Sequence, residues 1–428
     1  MATGTAIVSV SARQVFTDRG HPGVEATVVT EGGAEGVAIC TAGVSVGTKE
    51  IAFAYDGGTK WRGKGVLRAV AAVNELIAPA LRGLNAADQQ EVDHAMLNLG
   101  GPDAKARLGG NATAAVSAAV LKAGAAALGL PLYQHIGGVK ACILPVPGVL
   151  TLLGSDRYVP NTRSGGKPSY SFMASGFETF AEASYACWDT FTEWLDVLKH
   201  KFGVPQIGGS NLPFVPPGIV QSDRELWDAM TDVINRLGYE GQVGIQVDVA
   251  TETYWEEDIQ RYVGIFSAEP KTKEDIFNLY LDAVKQYPFV IIEDPFDEDD
   301  YATTARLTKA IDLQIVGDDL FTTNPARVQE GIDAGAANTV LLKVNQIGTI
   351  SEAFDMVELA YRNGYGVMPC SSRGEGADIA DYSVGLNCGT VRESGTGPSG
   401  NRFLKIEAEL GARAKFLGKQ GFSRRLTH

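Results

Sequence analysis

Four short segments of this chain run an apolar stretch into a charged residue: Gln246-Val247-Asp248, Ile291-Ile292-Glu293-Asp294, Val316-Gly317-Asp318-Asp319 and Leu341-Leu342-Lys343. The steps from Asp248 to Glu293, Asp318 and Lys343 are 45, 25 and 25 residues, close to one or two strand–helix units. Short apolar runs of this kind read as buried strands. In a (β/α)8 barrel such strand ends converge on one mouth, where barrel chemistry takes place. Three carboxylates meeting there repel one another unless a cation holds them. Their hard oxygens suit Mg²⁺. Asp248, Glu293 and Asp318 are therefore candidate metal ligands, with Lys343 beside them. The plainer alternative is that they cap helices or form salt bridges.

The elements that must position these residues can be traced along the chain. Residues 6–30 read as a hairpin turning at 18–22, and residues 63–81 and 111–128 have helical periodicity. Leu144-Pro145-Val146-Pro147 is a natural junction, because proline breaks helices. Beyond it, helical patterns at 177–202, 222–237, 273–286, 303–310 and 350–363 alternate with apolar strands. Ser222 is the expected N-cap of the second of these. In the acidic run 293–300, residues 298–300 are expected to cap or solvate the next helix. The glycine-rich stretches 154–176, 206–219 and 371–378 are candidate mouth loops. The expected fold class is α/β, with an α+β cap over residues 1–143 and a (β/α)8-type barrel over 144–428.

A length of 428 residues favours two domains, and 45% hydrophobic with 21% charged residues is a globular composition. The net charge of −14 argues against nucleic acid and anionic membrane surfaces as partners. It does not argue against a small anionic substrate, since a bound metal inverts the local field. The five cysteines are scattered without a Cys-x-x-Cys pair, which suggests a reduced, cytoplasmic protein. The amino-terminal sequence has neither the basic nor the apolar segment of a signal peptide.

Asp-Val-Ala at 248–250, Ile-Glu-Asp-Pro-Phe at 292–296, Gly-Asp-Asp-Leu at 317–320 and Leu-Leu-Lys-Val-Asn-Gln-Ile-Gly at 341–348 resemble the enolase superfamily signature in order and spacing. Arg13 to Phe16, Asp18 to Pro22, Gly43 to Gly47, Gly109 to Ala112 and Gly129 to Tyr133 extend the resemblance over almost the whole chain. It implies an enolase-like cap and barrel, usually assembled as a dimer or higher homo-oligomer. It implies that Lys343 removes the proton beside a substrate carboxylate, with one or two Mg²⁺ stabilising the resulting charge. Asp248, Glu293 and Asp318 carry over onto the metal-ligand positions. Ser45 carries over onto the loop serine that helps hold a second Mg²⁺ with substrate. Arg392 replaces the family's second active-site lysine and can hold the substrate carboxylate. Arg373, with Ser371 and Ser372, can hold a phosphate or phosphonate.

Several positions depart from the family. Gly154-Ser155-Asp156 stands for Gly-Ser-His, placing Asp156 among the substrate-contact candidates, and Tyr170-Ser171-Phe172-Met173 stands for Gln-Glu-Phe-Met. Gly208-Gly209-Ser210-Asn211-Leu212 replaces Gly-Asp-Glu-Gly-Gly, whose glutamate assists loss of the hydroxyl. The loop from Arg157 through Arg163 to Lys167 is either solvated or a site for a further anionic group. The metal-binding and proton-abstracting half thus survives while the hydroxyl-expelling half is rewritten. On that pattern the chain resembles the carboxyphosphonoenolpyruvate synthases of phosphinothricin-type antibiotic pathways, which join a cytidine-nucleotide-activated phosphonoformate to a phosphoglycerate or enolpyruvate unit. The expectation is two-substrate phosphonate chemistry with weak hydratase activity. The alternatives are an ordinary phosphopyruvate hydratase and a non-catalytic scaffold. Against the scaffold, three carboxylates without a cation would only cost stability.

Overall fold

Alternation of small apolar residues builds the first sheet. The computed structural model describes residues 4–17, 20–43, 46–154, 156–160, 163–164, 166–204, 213–371 and 373–422. The expected hairpin is β1 (Ile7–Phe16) against β2 (Pro22–Thr30), antiparallel with Ser11 opposite Thr27, and β3 (Glu35–Cys40) adds to the other edge of β2. Asp18 and Arg19 lie outside the described residues. Every second residue of β2, Val24, Ala26 and Val28, is buried, as strand periodicity requires. Two helices back the cap, α1 (Gln89–Asn98) and the alanine-rich α2 (Gly110–Ala127). Small residues allow close approach: a Cβ on Gly36 would lie 2.1 Å from the carbonyl oxygen of Ala119. The helical pattern at 63–81 forms Leu67–Leu81, with a π-helical stretch at Ala72–Ile77.

The second sheet has eight strands: β4 (Val146–Leu152), β5 (Ser169–Ala174), β6 (Val243–Asp248), β7 (Phe289–Glu293), β8 (Gln314–Gly317), β9 (Thr339–Leu342), β10 (Gly366–Pro369) and β11 (Thr390–Val391). They neighbour one another in the order β10-β9-β8-β7-β6-β5-β4-β11. A parallel bridge between Cys370 and Arg392 joins the two ends, with Arg392 N–H donating to the Pro369 carbonyl at 3.0 Å, so the sheet closes into a barrel. Helices α3 (Phe180–His200), α4 (Arg224–Arg236), α5 (Lys273–Gln286), α6 (Tyr301–Ala310), α7 (Pro325–Ala334), α8 (Ile350–Arg362) and α9 (Gly397–Leu410) follow the strands. Local chemistry starts them: Thr179, Asp300 and Thr349 accept a backbone N–H of the first turn, and Thr272 with Asp275 forms a capping box.

One strand runs backwards. β5 is antiparallel to both β4 and β6, with Ser169 opposite Asp248. The expectation of a loop over 154–176 is corrected there, because Ser169–Ala174 is a fully buried strand. The reversal has a functional consequence. On the parallel strands the carboxyl end faces the mouth, whereas on β5 it is the amino end.

Two apolar layers set which side chains point inward. Met173, Ile291, Val316, Leu341 and Met368 pack together inside the barrel, while Ile245, Val247, Ile292, Ile315 and Leu342 face the helices. With a period of two, Glu293 lies on the face of Ile291, Asp318 on that of Val316 and Lys343 on that of Leu341. Among the described residues, no single helix is long and apolar enough to cross a membrane.

A second charged group is buried beside the barrel. Asp223, rather than Ser222, precedes α4, and its side chain makes no capping bond. It accepts instead from Arg157 Nε and NH2 at 3.0 and 2.9 Å, and from the Tyr158 and Tyr170 hydroxyls at 2.5 Å each. Glu225 takes over the turn, accepting from the Gln221 N–H at 2.6 Å. Removing one partner of a buried pair strands the other charge. Asp223→Ala is therefore expected to destabilise the fold by about 3–5 kcal/mol, read as a lower midpoint in urea unfolding.

Candidate functional site

The barrel mouth divides into two arcs of opposite charge. Neighbouring strands β6, β7 and β8 end at Asp248, Glu293 and Asp318, which are 2%, 0% and 6% exposed. Continuing around the ring, Lys343 follows β9, Arg373 follows β10 and Arg392 follows β11. Lys167 precedes the reversed β5 and stands next to Asp248. All four cations are buried. Such a concentration of like charge on each side is tolerable only because the arcs face each other at contact distance.

The contacts are specific. Lys343 Nζ lies 2.5 Å from Asp318 Oδ2, and Gln346 donates to Asp318 Oδ1 at 2.7 Å. The guanidinium of Arg392 lies among three carboxylates: NH2 pairs with Asp248, NH1 lies 3.2 Å from Glu293 Oε1, and Nε lies 3.0 Å from Glu393 Oε1 without a hydrogen bond. Gln246 donates to Glu293 Oε2 at 3.1 Å. Lys167 pairs with Asp248. Arg373 forms a two-point pair with Glu50, with NH2 at 2.5 Å from Oε1.

Electrostatics follow from these neighbours. Burial alone would raise Asp318, but Lys343 and Arg373 hold it below the usual carboxylate range. Burial opposes the charge of Lys343, yet Asp318 more than offsets this and raises it, so the lysine is held as an ammonium. Glu293 is raised, chiefly by burial and against the pull of Arg392 and Lys167. Burial, with Arg392 alongside, brings Lys167 down to about 8. Asp319 is pushed up to about 7 by burial and the adjacent Asp318.

Carboxylate oxygens of Glu293, Asp294 and Asp318 all lie within 4.8 Å of one another, the one such grouping among the described residues. Hard oxygen donors at this spacing fit a divalent cation. Sequence reading missed Asp294, which shares its motif with Glu293. Its side chain accepts the backbone N–H groups of Asp318 and Asp319 at 3.0 and 2.9 Å, so it also shapes the loop that carries Asp318. Asp248 sits on the neighbouring strand and is engaged by Lys167 and Arg392.

Other expected residues are placed differently. Arg157 is committed to Asp223 and is not brought to the carboxylates. Arg163 is exposed near Glu256. Asp156 is exposed in the loop after β4, and Ser371 follows the bridge that closes the barrel. Ser45, Ser155, Ser372 and residues 205–212 lie outside the described residues. Unanticipated contributors are Glu50, Gln246 and Gln346, the last two lying in recognised motifs. Lys167, expected either in a solvated loop or against a further anionic group, is turned inward onto Asp248, a placement that follows from the reversal of β5.

The cap reaches this mouth. Gly47 N–H donates to Glu50 Oε1 at 3.1 Å, and a Cβ on Gly47 would lie 2.7 Å from Asp319 Oδ1. Asn345 donates to the Thr41 carbonyl at 2.6 Å, and Ile51 N–H to the Gln346 carbonyl at 3.1 Å.

Comparison with known proteins places these features in a family. A model described as "Enolase, N-terminal domain" matches residues 7–136, and "Enolase, C-terminal TIM barrel domain" matches 142–425. The chain is 39% identical over 424 residues to an enolase of Methanocaldococcus jannaschii, covering 96% of this chain and 97% of that one. It is 38% identical over 431 residues to an enolase of Methanopyrus kandleri, covering 97% and 99%. An enolase of Methanococcus aeolicus is 39% identical over 423 residues, covering 96% and 97%. End-to-end similarity to enolases overturns the expectation of a carboxyphosphonoenolpyruvate synthase, and with it phosphonate chemistry and antibiotic biosynthesis. That expectation rested on loop residues missing from their usual places. A missing loop carboxylate does not say which group on another element stands in for it.

The arrangement predicts separable roles for the acidic residues. Asp318→Ala and Glu293→Ala should each abolish the rise in melting temperature caused by Mg²⁺, a rise equivalent to about 2.7 kcal/mol at a hundredfold excess over Kd. Asp294→Ala should in addition lower the melting temperature without added metal, because two backbone N–H groups lose their acceptor. Full Mg²⁺ stabilisation in the Asp318 and Glu293 variants would reject this assignment.

Proposed function

This chain belongs to the enolase family, and from that premise we propose that it dehydrates 2-phosphoglycerate to phosphoenolpyruvate, as a Mg²⁺-dependent phosphopyruvate hydratase. The observation that carries this reading is the placement of Lys343 against Asp318, at the edge of the acidic arc and inside a closed mouth. Full-length similarity to proteins named enolase supports it. The proposed metal ligands are Asp248, Glu293 and Asp318, with Asp294 holding the loop beneath them.

Bound there, a divalent cation would offset the negative charge that builds on the substrate carboxylate and draw Asp318 away from Lys343, favouring the neutral amine. Lys343 then takes the proton from the carbon beside that carboxylate. Arg392 positions Asp248 and Glu293 by pairing with both. Arg373, oriented by Glu50, is the proposed contact for the substrate phosphate, with Ser371 beside it. Burial of the whole constellation excludes water and strengthens each of these interactions. The division of the chain at 143/144 belongs to the same reading; the two matched ranges, 7–136 and 142–425, part a few residues before it.

The test is direct. With Mg²⁺, the purified protein should convert 2-phosphoglycerate alone into phosphoenolpyruvate, with no second substrate. Lys343→Ala should lower kcat by at least about 10²-fold and abolish exchange of the C2 proton with deuterated solvent, while keeping the Mg²⁺-dependent thermal shift. Absence of any conversion by the wild-type protein would remove this reading.

A further inference from the structure

Dehydration needs a proton donor for the departing hydroxyl as well as a base, and the segment 208–212 contains no ionisable side chain. The geometry of the barrel supplies a candidate. We propose that Lys167 is a catalytic residue that contacts the leaving hydroxyl of the substrate and delivers its proton. This rests on the dehydration proposed above.

In the closed ring, β5 and β9 are separated by four steps in one direction, through β6, β7 and β8. In a ring of eight strands they are diametrically opposite. Lys343 follows β9 at its carboxyl end, and Lys167 precedes β5, whose amino end faces the same mouth. The two lysines therefore stand at the two ends of the acidic arc: Lys343 on Asp318, and Lys167 on Asp248. A substrate held between them presents one face to each ammonium or amine.

Elimination from adjacent carbons proceeds readily when the proton and the hydroxyl leave from opposite faces. Lys343 Nζ accepts the C2 proton. The C2–H bonding pair becomes the second C2–C3 bond, and the C3–O bond breaks with its pair remaining on oxygen. That oxygen takes a proton from Lys167 Nζ and leaves as water. Atoms and charges balance without any further reactant.

Several observations fix Lys167 in place. It is 9% exposed. Its backbone N–H donates to the Ser164 carbonyl at 3.2 Å, and its carbonyl accepts from the buried Tyr254 hydroxyl. The neighbouring loop cations do not compete for the role, since Arg157 is locked on Asp223 and Arg163 is exposed near Glu256.

A lysine that merely neutralises Asp248 would be replaceable by any cation, which makes the two roles separable. Lys167→Met should lower 2-phosphoglycerate dehydration by about 10²–10⁴-fold while retaining exchange of the C2 proton, a step that Lys343 performs. Lys167→Arg keeps the charge but not a proton to give, and should show a similar loss. It also preserves the ion pair with Asp248, so it carries the test if the methionine variant does not fold, as judged by circular dichroism and the Mg²⁺ thermal shift. On a 3-chloro analogue, whose chloride needs no proton to leave, both variants should recover to within about tenfold of wild type. Wild-type dehydration by Lys167→Arg, or an equal deficit on both substrates, would overturn the role. Inactivity of the wild-type protein on 2-phosphoglycerate would instead remove the proposed function itself.

Discussion

Charge balance in a buried space is the constraint on which this molecule turns. Asp248, Glu293, Asp294, Asp318 and Asp319 are all at most 6% exposed and close to one another. Carboxylates so placed cannot stay ionised without compensating charge, and removing any one compensating group leaves an uncancelled ion in a poorly solvated site. Lys343, Arg392 and Lys167 answer that demand from three separate strands. The same demand makes the site chemically competent, because groups that are costly to bury are also the ones whose protonation responds to neighbours. Asp318 held low beside Asp319 raised to about 7 illustrates how adjacent residues diverge when Lys343 pairs directly with one, while burial and that neighbour's charge dominate at the other.

Around this centre the cap acts as part of the mouth. Thr41, Thr48, Glu50 and Ile51 of the cap are tied to the barrel at Asn345, Glu298, Arg373 and Gln346 respectively. Farther out, Ser351 donates to buried Asp93 at 2.7 Å, and Lys105 pairs with Glu352 at 2.8 Å. Cap and barrel thus meet through directional polar contacts, which specify orientation more strictly than apolar contact alone.

Much of this was legible in the amino-acid order. Apolar runs ending on Asp248, Glu293, Asp318 and Lys343 identified four strand ends of the mouth, and the amino-terminal hairpin and five barrel helices appear close to their expected places. These are local signals: a strand's period of two and a helix's periodic apolar face are written in consecutive residues. Ser169–Ala174 was read as loop because serines alternate with Tyr170 and Phe172 in a glycine-rich context, and only pairing with β4 and β6 reveals a strand. Ser222 read as a cap because nothing local shows that Asp223 is drawn away by an arginine 66 residues earlier.

Sequence by itself determined the superfamily (though not the branch within it), the two-part architecture and the acidic arc with its lysine, because each depends on residue type at short, regular spacing. Tertiary structure alone decided how the remaining charges are spent. Arg157 and Lys167 lie ten residues apart in one loop and looked equivalent. One is buried on Asp223 and the other stands at Asp248. Their fates differ because β5 runs against its neighbours, which turns its amino end towards the mouth. Strand direction is set by long-range pairing, and no window of neighbouring residues contains it.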